Sequence, residues 1–412
     1  MRVSLVTVSG REIAAVDADP SWTKHDLCSH LPGFEGARGA CCHIVLETRQ
    51  LTGETTLEQI GAEDGASLTL VVAPSWRIAT ASFDNTAALW SVDSGERLLE
   101  FDKHVRCLYS VSISPDGTRL ATASEDGTAR VWCTETGACL RKLVGHEEGV
   151  NSARFSPDGT LVLTAADDGT AMLWSSEGDG ECLRTLRHTL PHRVRPINDA
   201  CFSPDGALVL GSAGNVSFLW SVSSGECVHE LRGHAGVVKV AVFSADGAFV
   251  LSASVDNTAR LWAVASGECV CTFEDEGHPI KWASMSNDGT LVVTTSGCNA
   301  QLWDAKSGAR SHAFAGHEKD VCAVEFSPDG SLVLTAASDG TAKLWSATTS
   351  KCLRTLTGHS KTIYSVAFSP DGALALTASD DHTARLWEVQ SGDCLAVLQH
   401  RGGVKVAVFS PI

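Results

Sequence analysis

The stretch LTASDDHTARLW, residues 376–387, decides the fold, because near-copies of it recur through most of the chain. It returns as LATASEDGTARVW at 120–132 and as LTAADDGTAMLW at 163–174. The tryptophans that close these phrases are Trp90, Trp132, Trp174, Trp220, Trp262, Trp303, Trp345 and Trp387, at intervals of 42, 42, 46, 42, 41, 42 and 42 residues. A fixed period of this length marks a repeat architecture. Upstream of most phrases lies S-P-D-G, at 114–117, 156–159, 203–206, 327–330 and 369–372, with SADG at 244–247 and SNDG at 286–289. Downstream of most runs S-G-x-C-L-x-x-L, followed by Gly-His.

Each unit reads as four short strands. SVAFS alternates with period two, LVLTAA and TARLW are rich in Ala, Thr and Val, and CLRTL closes the unit. S-P-D-G and D-D-G-T are turn chemistry: Pro presets φ, Asp bonds back to the backbone, and Gly supplies a positive φ. Small residues on the middle strands suit sheets stacked face to face at about 10 Å. A four-stranded unit of this length, without helices, resembles the WD40 blade of β-propellers, over about residues 75–412. The 338 residues from 75 to 412 come within two of eight 42-residue units, so eight blades are expected.

The first unit begins midway, since SWRIATASFDNTAALW has no S-V-x-F-S-P-D-G before it. The end of the chain offers the missing piece. HRGGVKVAVFSP spans 400–411, and VKVAVFS at 404–410 repeats 238–244 letter for letter. The segment 404–411 is therefore expected as the innermost strand of blade one, which removes an exposed edge. A truncated ninth repeat is the alternative.

The resemblance implies a buried hydrogen-bond set in each blade: His before the first strand, Ser or Thr on the second, Asp in the next turn, Trp on the third. The matching residues are His146, Asp168 and Trp174; His234, Asp256 and Trp262; His317, Asp339 and Trp345; His359, Asp381 and Trp387; and, across the closure, His400, Asp84 and Trp90. His104 with Asp126 keeps the spacing before Trp132. These residues are structural on this reading, with no catalytic and no metal role, because buried polar groups have to be paired. Blade four has Gly214 where Asp belongs, and blade six has Gly297 in a turn shortened by one residue; both are expected to be less rigid.

The first 74 residues carry no blade phrase. MRVSLVTVSGREIAAVDAD reads as a hairpin turning at Ser9-Gly10, SWTKHDLCSHL as a short helix capped by Ser21, and CCHIVLETRQL and SLTLVV as strands. The order, and the phrase ETRQLTGETTLEQIGAEDGASLTLVV, resemble the ubiquitin fold. The expected fold is thus mostly β: an eight-bladed WD40 propeller, 75–412, behind a small α+β ubiquitin-like (β-grasp) domain, 1–74. The family's Gly-Gly tail has no counterpart where the chain runs through Ala73-Pro74, so conjugation is not expected. The family's apolar recognition patch maps onto Val8, Val45 and Val71.

Composition narrows the function. The formal charge is −17 and the pI about 5.3, which argues against a nucleic-acid partner. No apolar run reaches the roughly 18 residues a membrane span needs, and the N-terminus is charged too early for a signal peptide, so a cytoplasmic location is expected, with the nucleus open. Among fifteen cysteines there is no C-x-x-C, and six at one repeat position (Cys139, Cys182, Cys227, Cys269, Cys352, Cys394) are expected as small buried hydrophobes. P-loop, H-E-x-x-H and G-x-S-x-G motifs are absent, so neither an enzyme nor a cofactor is expected.

Propellers meet partners mostly where the innermost strands begin. Those positions are Lys405, Tyr109, Asn151, Asn198, Lys239, Lys281, Cys322 and Tyr364, and Trp282 follows Lys281. Both tyrosines of the chain and three lysines of an acidic protein fall among them. Aromatic anchors with lysines point to an acidic or phosphorylated peptide lying over Tyr364–Lys405–Tyr109. The expected role is a non-catalytic interaction scaffold, monomeric within a larger complex. The alternative is a substrate receptor or adaptor in ubiquitin signalling. Its ligase-docking phrase W-D-x-R has only Trp303-Asp304-Ala305-Lys306 as a match, in the blade that lacks its Asp.

Overall fold

The S-P-D-G phrases set the strand boundaries of the computed structural model, which describes residues 2–7, 12–22, 41–46, 49–51, 56–59, 62–63, 67–73, 76–190, 195–275 and 277–410. In blade two the Ser114 hydroxyl donates to Asp116 at 2.5 Å and accepts the Arg119 amide at 2.9 Å, while Gly117 takes φ +70°. That lock ends one strand and starts the next, and it recurs at Ser156, Ser203, Ser244, Ser286, Ser327 and Ser369.

The chain divides into two compact units, Met1–Trp76 with Ile412, and Arg77–Pro411. The second unit is eight four-stranded antiparallel sheets. Their innermost strands are Val404–Phe409, Leu108–Ile113, Val150–Phe155, Ile197–Phe202, Val238–Phe243, Ala283–Met285, Val321–Phe326 and Ile363–Phe368, for blades one to eight. Among the described residues there is no helix.

Blade one is built from both ends of the propeller. Val404–Phe409 pairs antiparallel with Arg77–Ser82, placing Phe409 opposite Ile78 and Ala407 opposite Thr80. The truncated-repeat alternative is thereby removed. The core lies in eight seams, one between each successive pair of blades. Between blades two and three, Trp174 and Met172 pack on Ala121, Ala123, Ala129 and Val131, because only small residues leave room for an indole. A seam between blades eight and one, joining Leu376, Ala378 and Leu386 to Ile78, Ala88 and Trp90, closes the ring.

The departing blades differ from expectation in one respect: both are shortened. Val209 pairs with Trp220 and Val292 with Trp303, where a regular blade pairs Leu120 with Trp132, one residue further on. Their turns hold Gly214 at φ +61° and Gly297 at φ +53°. At Gly214 the positive φ favours glycine, while the side chain that a Cβ would meet is the flexible Arg195, which can move aside.

The first unit contains β1 (Arg2–Thr7), β2 (Glu12–Asp17), β3 (Cys41–Leu46), β4 (Arg49–Leu51) and β5 (Ser67–Ala73) in one sheet of order β2-β1-β5-β3-β4. β1 and β5 are parallel and the remaining pairs antiparallel. The stretch 41–51, expected as one strand, is two antiparallel strands. The turn at Ser9-Gly10 and nearly all of the helix expected over 21–31 lie outside the described residues. So does Val8; Val45 pairs with Thr69 and Val71 with His43 in the β3–β5 ladder.

Candidate functional site

Six blades carry the full His–Ser/Thr–Trp–Asp set. In blade two Trp132 Nε1 donates to Thr122 Oγ1 at 2.9 Å, His104 Nε2 lies 2.9 Å from the same oxygen, and His104 Nδ1 lies 2.9 Å from Asp126. One assignment satisfies every group: Thr122 donates to a neutral His104, whose Nδ1–H donates to the carboxylate. Burial holds the His104 imidazole below its usual range, as it does in His146, His234, His317 and His359. The hubs of the other full sets are Thr164, Ser252, Thr335, Thr377 and, across the closure, Thr80, which meets His400 at 2.7 Å and Trp90 at 2.8 Å. His400 Nδ1 stands further from Asp84, at 3.4 Å. Asp126 also accepts the Val105 amide and both donors of Thr128, so its oxygens are engaged within the blade. These residues do not converge on a common cavity. Among the described residues no three His, Cys, Asp or Glu side chains are grouped to hold a metal ion.

Blades four and six solve the same packing problem differently. Gly211 occupies the hub position, and His188, Phe218 and Trp220 stack, with ring centroids 5.8 and 5.4 Å apart. Added bulk at Gly211 would meet Trp220 at 3.0 Å. In blade six Trp303 keeps its bond to Thr294 at 2.9 Å, and the His278 ring packs over Gly297.

The six repeat cysteines are not buried. Cys182, Cys269, Cys352 and Cys394 are exposed, and Cys139 and Cys227 are partly so. They open the outermost strands of six of the eight sheets, where one face looks outward, and the buried residue of such a strand is the later Leu or Phe, such as Leu143 or Phe273. Their small, apolar character misled the sequence reading.

The channel mouth gathers most of the strand-start residues. A cavity of about 570 Å³ is lined by Tyr109, Asn151, Asn198, Lys239, Trp282 and Lys405, and it deepens past Val240, Val406 and Val408 to Arg154 and Asp199. Tyr364 joins through Lys405, whose ammonium lies 4.8 Å from the centre of its ring. Phe83 stands edge-on to both tyrosines, at 6.4 Å from Tyr109 and 6.0 Å from Tyr364. Lys281 turns aside to Asp320 at 2.8 Å. Cys322 sits beside Ser338, 3.1 Å away, and outside the cavity lining.

The cavity lining holds Arg154, Lys239 and Lys405 with one carboxylate, Asp199, which Arg154 holds at 2.8 Å, while Asp167 accepts from Asn151 and Asp380 stands beside Tyr364 at its rim. Among the described residues no carboxylate pairs with Lys405 or Lys239. Burial beside the tyrosine, with no acid against it, holds the Lys405 ammonium below the usual lysine range. Burial first, and the nearby Asp380 second, raise the Tyr364 hydroxyl, so it stays protonated and able to donate.

Phe83, Arg154 and Glu325 are functional candidates that the repeat reading passed over. Each is the odd residue at its repeat position: Phe83 stands where Glu125, Asp167 and Asp380 stand elsewhere, and Arg154 and Glu325 where Ser112, Val242 and Val408 stand. Comparing repeats column by column would have exposed them.

Compared with known families, the chain matches the family described as WD domain, G-beta repeat at 95–133, 137–175, 180–221, 225–263, 267–304, 308–346 and 350–388, about two thirds of its length. No curated protein is a significant match. Each matched segment joins the outermost strand of one sheet to the inner three of the next, as 95–133 does with Arg97–Phe101 and the strands from Leu108 to Cys133. Seven staggered repeats therefore build eight sheets, and the eighth takes its innermost strand from the far end of the propeller.

Proposed function

The chain belongs to the WD domain, G-beta repeat family, and from that premise we propose that it is a protein-interaction scaffold whose channel mouth reads an acidic or phosphorylated peptide. Propellers of this family are in general scaffolds that bind proteins. The observation that supports the finer reading is the Lys405 ammonium over the Tyr364 ring, unpaired by any acid among the described residues, with Phe83 edge-on to both tyrosines. An aromatic floor under an unpaired cation offers contact area and a charge at one place. An anionic group on the partner would pair with Lys405 and Lys239, while an apolar neighbour fills the space before Val240, Val406 and Val408. Lys281, already neutralised by Asp320, contributes less.

The test is binding of phosphoserine-bearing and glutamate-rich peptides to the full chain. Loss of at least tenfold in affinity on replacing Tyr109 and Tyr364 together by Ala is expected, with a smaller loss for Lys405→Ala that fades at high salt. Affinity that survives the double replacement overturns the reading.

A second reading concerns the first unit. Its sheet order β2-β1-β5-β3-β4, with β1 and β5 parallel at the centre, supports a ubiquitin-like domain acting as an unconjugated docking module. On that reading the protein is an adaptor in ubiquitin signalling. A pull-down with the full chain and with Val45→Asp/Val71→Asp variants tests it: partners lost with those variants support the docking role, and an unchanged partner set removes it.

A further inference from the structure

The innermost strand of blade seven, Val321–Phe326, carries Glu325 three residues beyond the mouth position Cys322, toward the S-P-D-G end of the channel. Equivalent positions in other blades are small or apolar, as at Ser112, Val242, Ala367 and Val408, except for Arg154 in blade three, which Asp199 holds at 2.8 Å. Glu325 lines a separate cavity of about 460 Å³, whose walls include Phe326, Ala367, Phe368, Val408 and Phe409. Among the described residues it is the one ionisable side chain in that lining. Asn287, the nearest thing to a polar partner there, already donates its amide to the Pro328 carbonyl at 2.9 Å.

Among the described residues of the cavity and the strands beside it, no cation answers this carboxyl. Its cross-strand partner is Leu334, and the strand of blade eight offers Ala367 and Phe368 to the same cavity. The turns that follow carry Asp288, Asp329 and Asp371, and each is engaged by the serine of its own turn. No Lys, Arg or His faces Glu325 from any of these elements. An unpaired charge in this partly buried, largely apolar position is costly unless it is neutralised or matched by a cation.

We propose that the cavity around Glu325 receives one basic side chain, arginine or lysine, presented by a partner protein at the channel end opposite the Lys405–Tyr364 mouth. The carboxylate supplies the countercharge, the aromatic rings accept the cation's face, and the apolar wall takes the aliphatic stem. This site stands whether or not the mouth reads acidic peptides, although the two cavities share the walls Val408 and Phe409. Burial raises the Glu325 carboxyl to about 8, so at neutral pH it is protonated when empty and ionises when a cation enters.

That coupling gives the test its readout. Blocked pentapeptides Gly-Ser-X-Ser-Gly, with X arginine, lysine or citrulline, are titrated into the full chain by calorimetry in two buffers of different ionisation heat. Methylguanidinium forms a small-molecule arm. The arginine and lysine peptides are expected to bind, citrulline not, with about one proton released per peptide at pH 7. Affinity is expected to rise about tenfold between pH 6 and 7 and to level off above 8, because only the ionised carboxyl attracts the cation. Glu325→Gln is expected to weaken binding at least tenfold and abolish proton release. No binding by any peptide, equal binding to E325Q, or binding without proton release overturns the proposal. Methylguanidinium binding as tightly as the arginine peptide also overturns it, by showing a receptor for free cations. If E325Q does not fold, the proton count in the unaltered chain decides.

Discussion

Arg77 and Ser410, 333 residues apart, exchange two hydrogen bonds: the Arg77 amide donates to the Ser410 hydroxyl at 2.9 Å, and the Ser410 amide to the Arg77 carbonyl at 2.7 Å. Ser114 and Arg119 make the same two bonds within one continuous turn, both at 2.9 Å. The closure of blade one thus reproduces a covalent S-P-D-G turn with no chain through it. Ring closure rests on strand pairing and on the seam that buries Val404, Ala407, Ile78 and Trp90.

Truncation after Gln399 is expected to unlock blade one. It removes the partner of Arg77–Ser82 and leaves the Thr80 hub without His400. Native-state hydrogen exchange should show the amides of 77–91 losing most of their protection while blades three to six keep theirs. Unchanged protection at 77–82 would contradict the closure.

The hydroxyl hub of a regular blade is expected to matter more than its volume. Thr122→Val keeps the shape but leaves the Trp132 indole N–H and His104 without their shared oxygen, at a cost of about 1–3 kcal/mol. Thr122→Ser should cost far less, because Ser252 performs the same role in blade five. Exchange of blade-two amides, read for both variants, separates the two effects.

Stability is expected to fall in mild acid. Five buried histidines have folded-state pKa values below 6.5, so the unfolded chain binds their protons first. Their contribution is complete above about pH 6.5 and is lost as pH drops through the folded values. Asp126, Asp168, Asp339 and Asp381 are also held low, and they add a second decline below about pH 4. Melting temperatures measured from pH 8 to 4 should be flat at first and then fall; a rise between pH 7 and 5 would reverse the assignment of neutral histidine.

Thiol labelling of the folded protein is expected to sort the cysteines by place in the blade. Cys182, Cys269, Cys352 and Cys394 lie exposed on outermost strands and should react within minutes with a maleimide. Cys201, on the innermost strand of blade four, has its thiol pushed up to about 12 by burial and should react only after denaturation. Mass spectrometry of labelled peptides reads the order directly.

The sequence by itself determined the repeat, the four strands of each unit, the count of eight and the strand that closes the ring. It could do so because the turns and strands are local, S-P-D-G and D-x-T placing turns through bonds two to five residues apart, and because the closing strand, though its partner lies more than 300 residues away, repeats the local phrase of another blade. It also determined which His, Asp and Trp belong together, since their spacing is set within one blade. The tertiary structure alone decided what the equivalent positions do around the ring. Lys405 of blade one meets Tyr364 of blade eight, and Phe83 of blade one meets Tyr364 and Tyr109 of blade two, because three blades converge on the axis, and Lys281 is withdrawn by Asp320 of the next blade. The cysteines lie outside and Glu325 inside an apolar cavity for the same reason: distance from the channel axis is a property of the closed ring, which no single repeat contains.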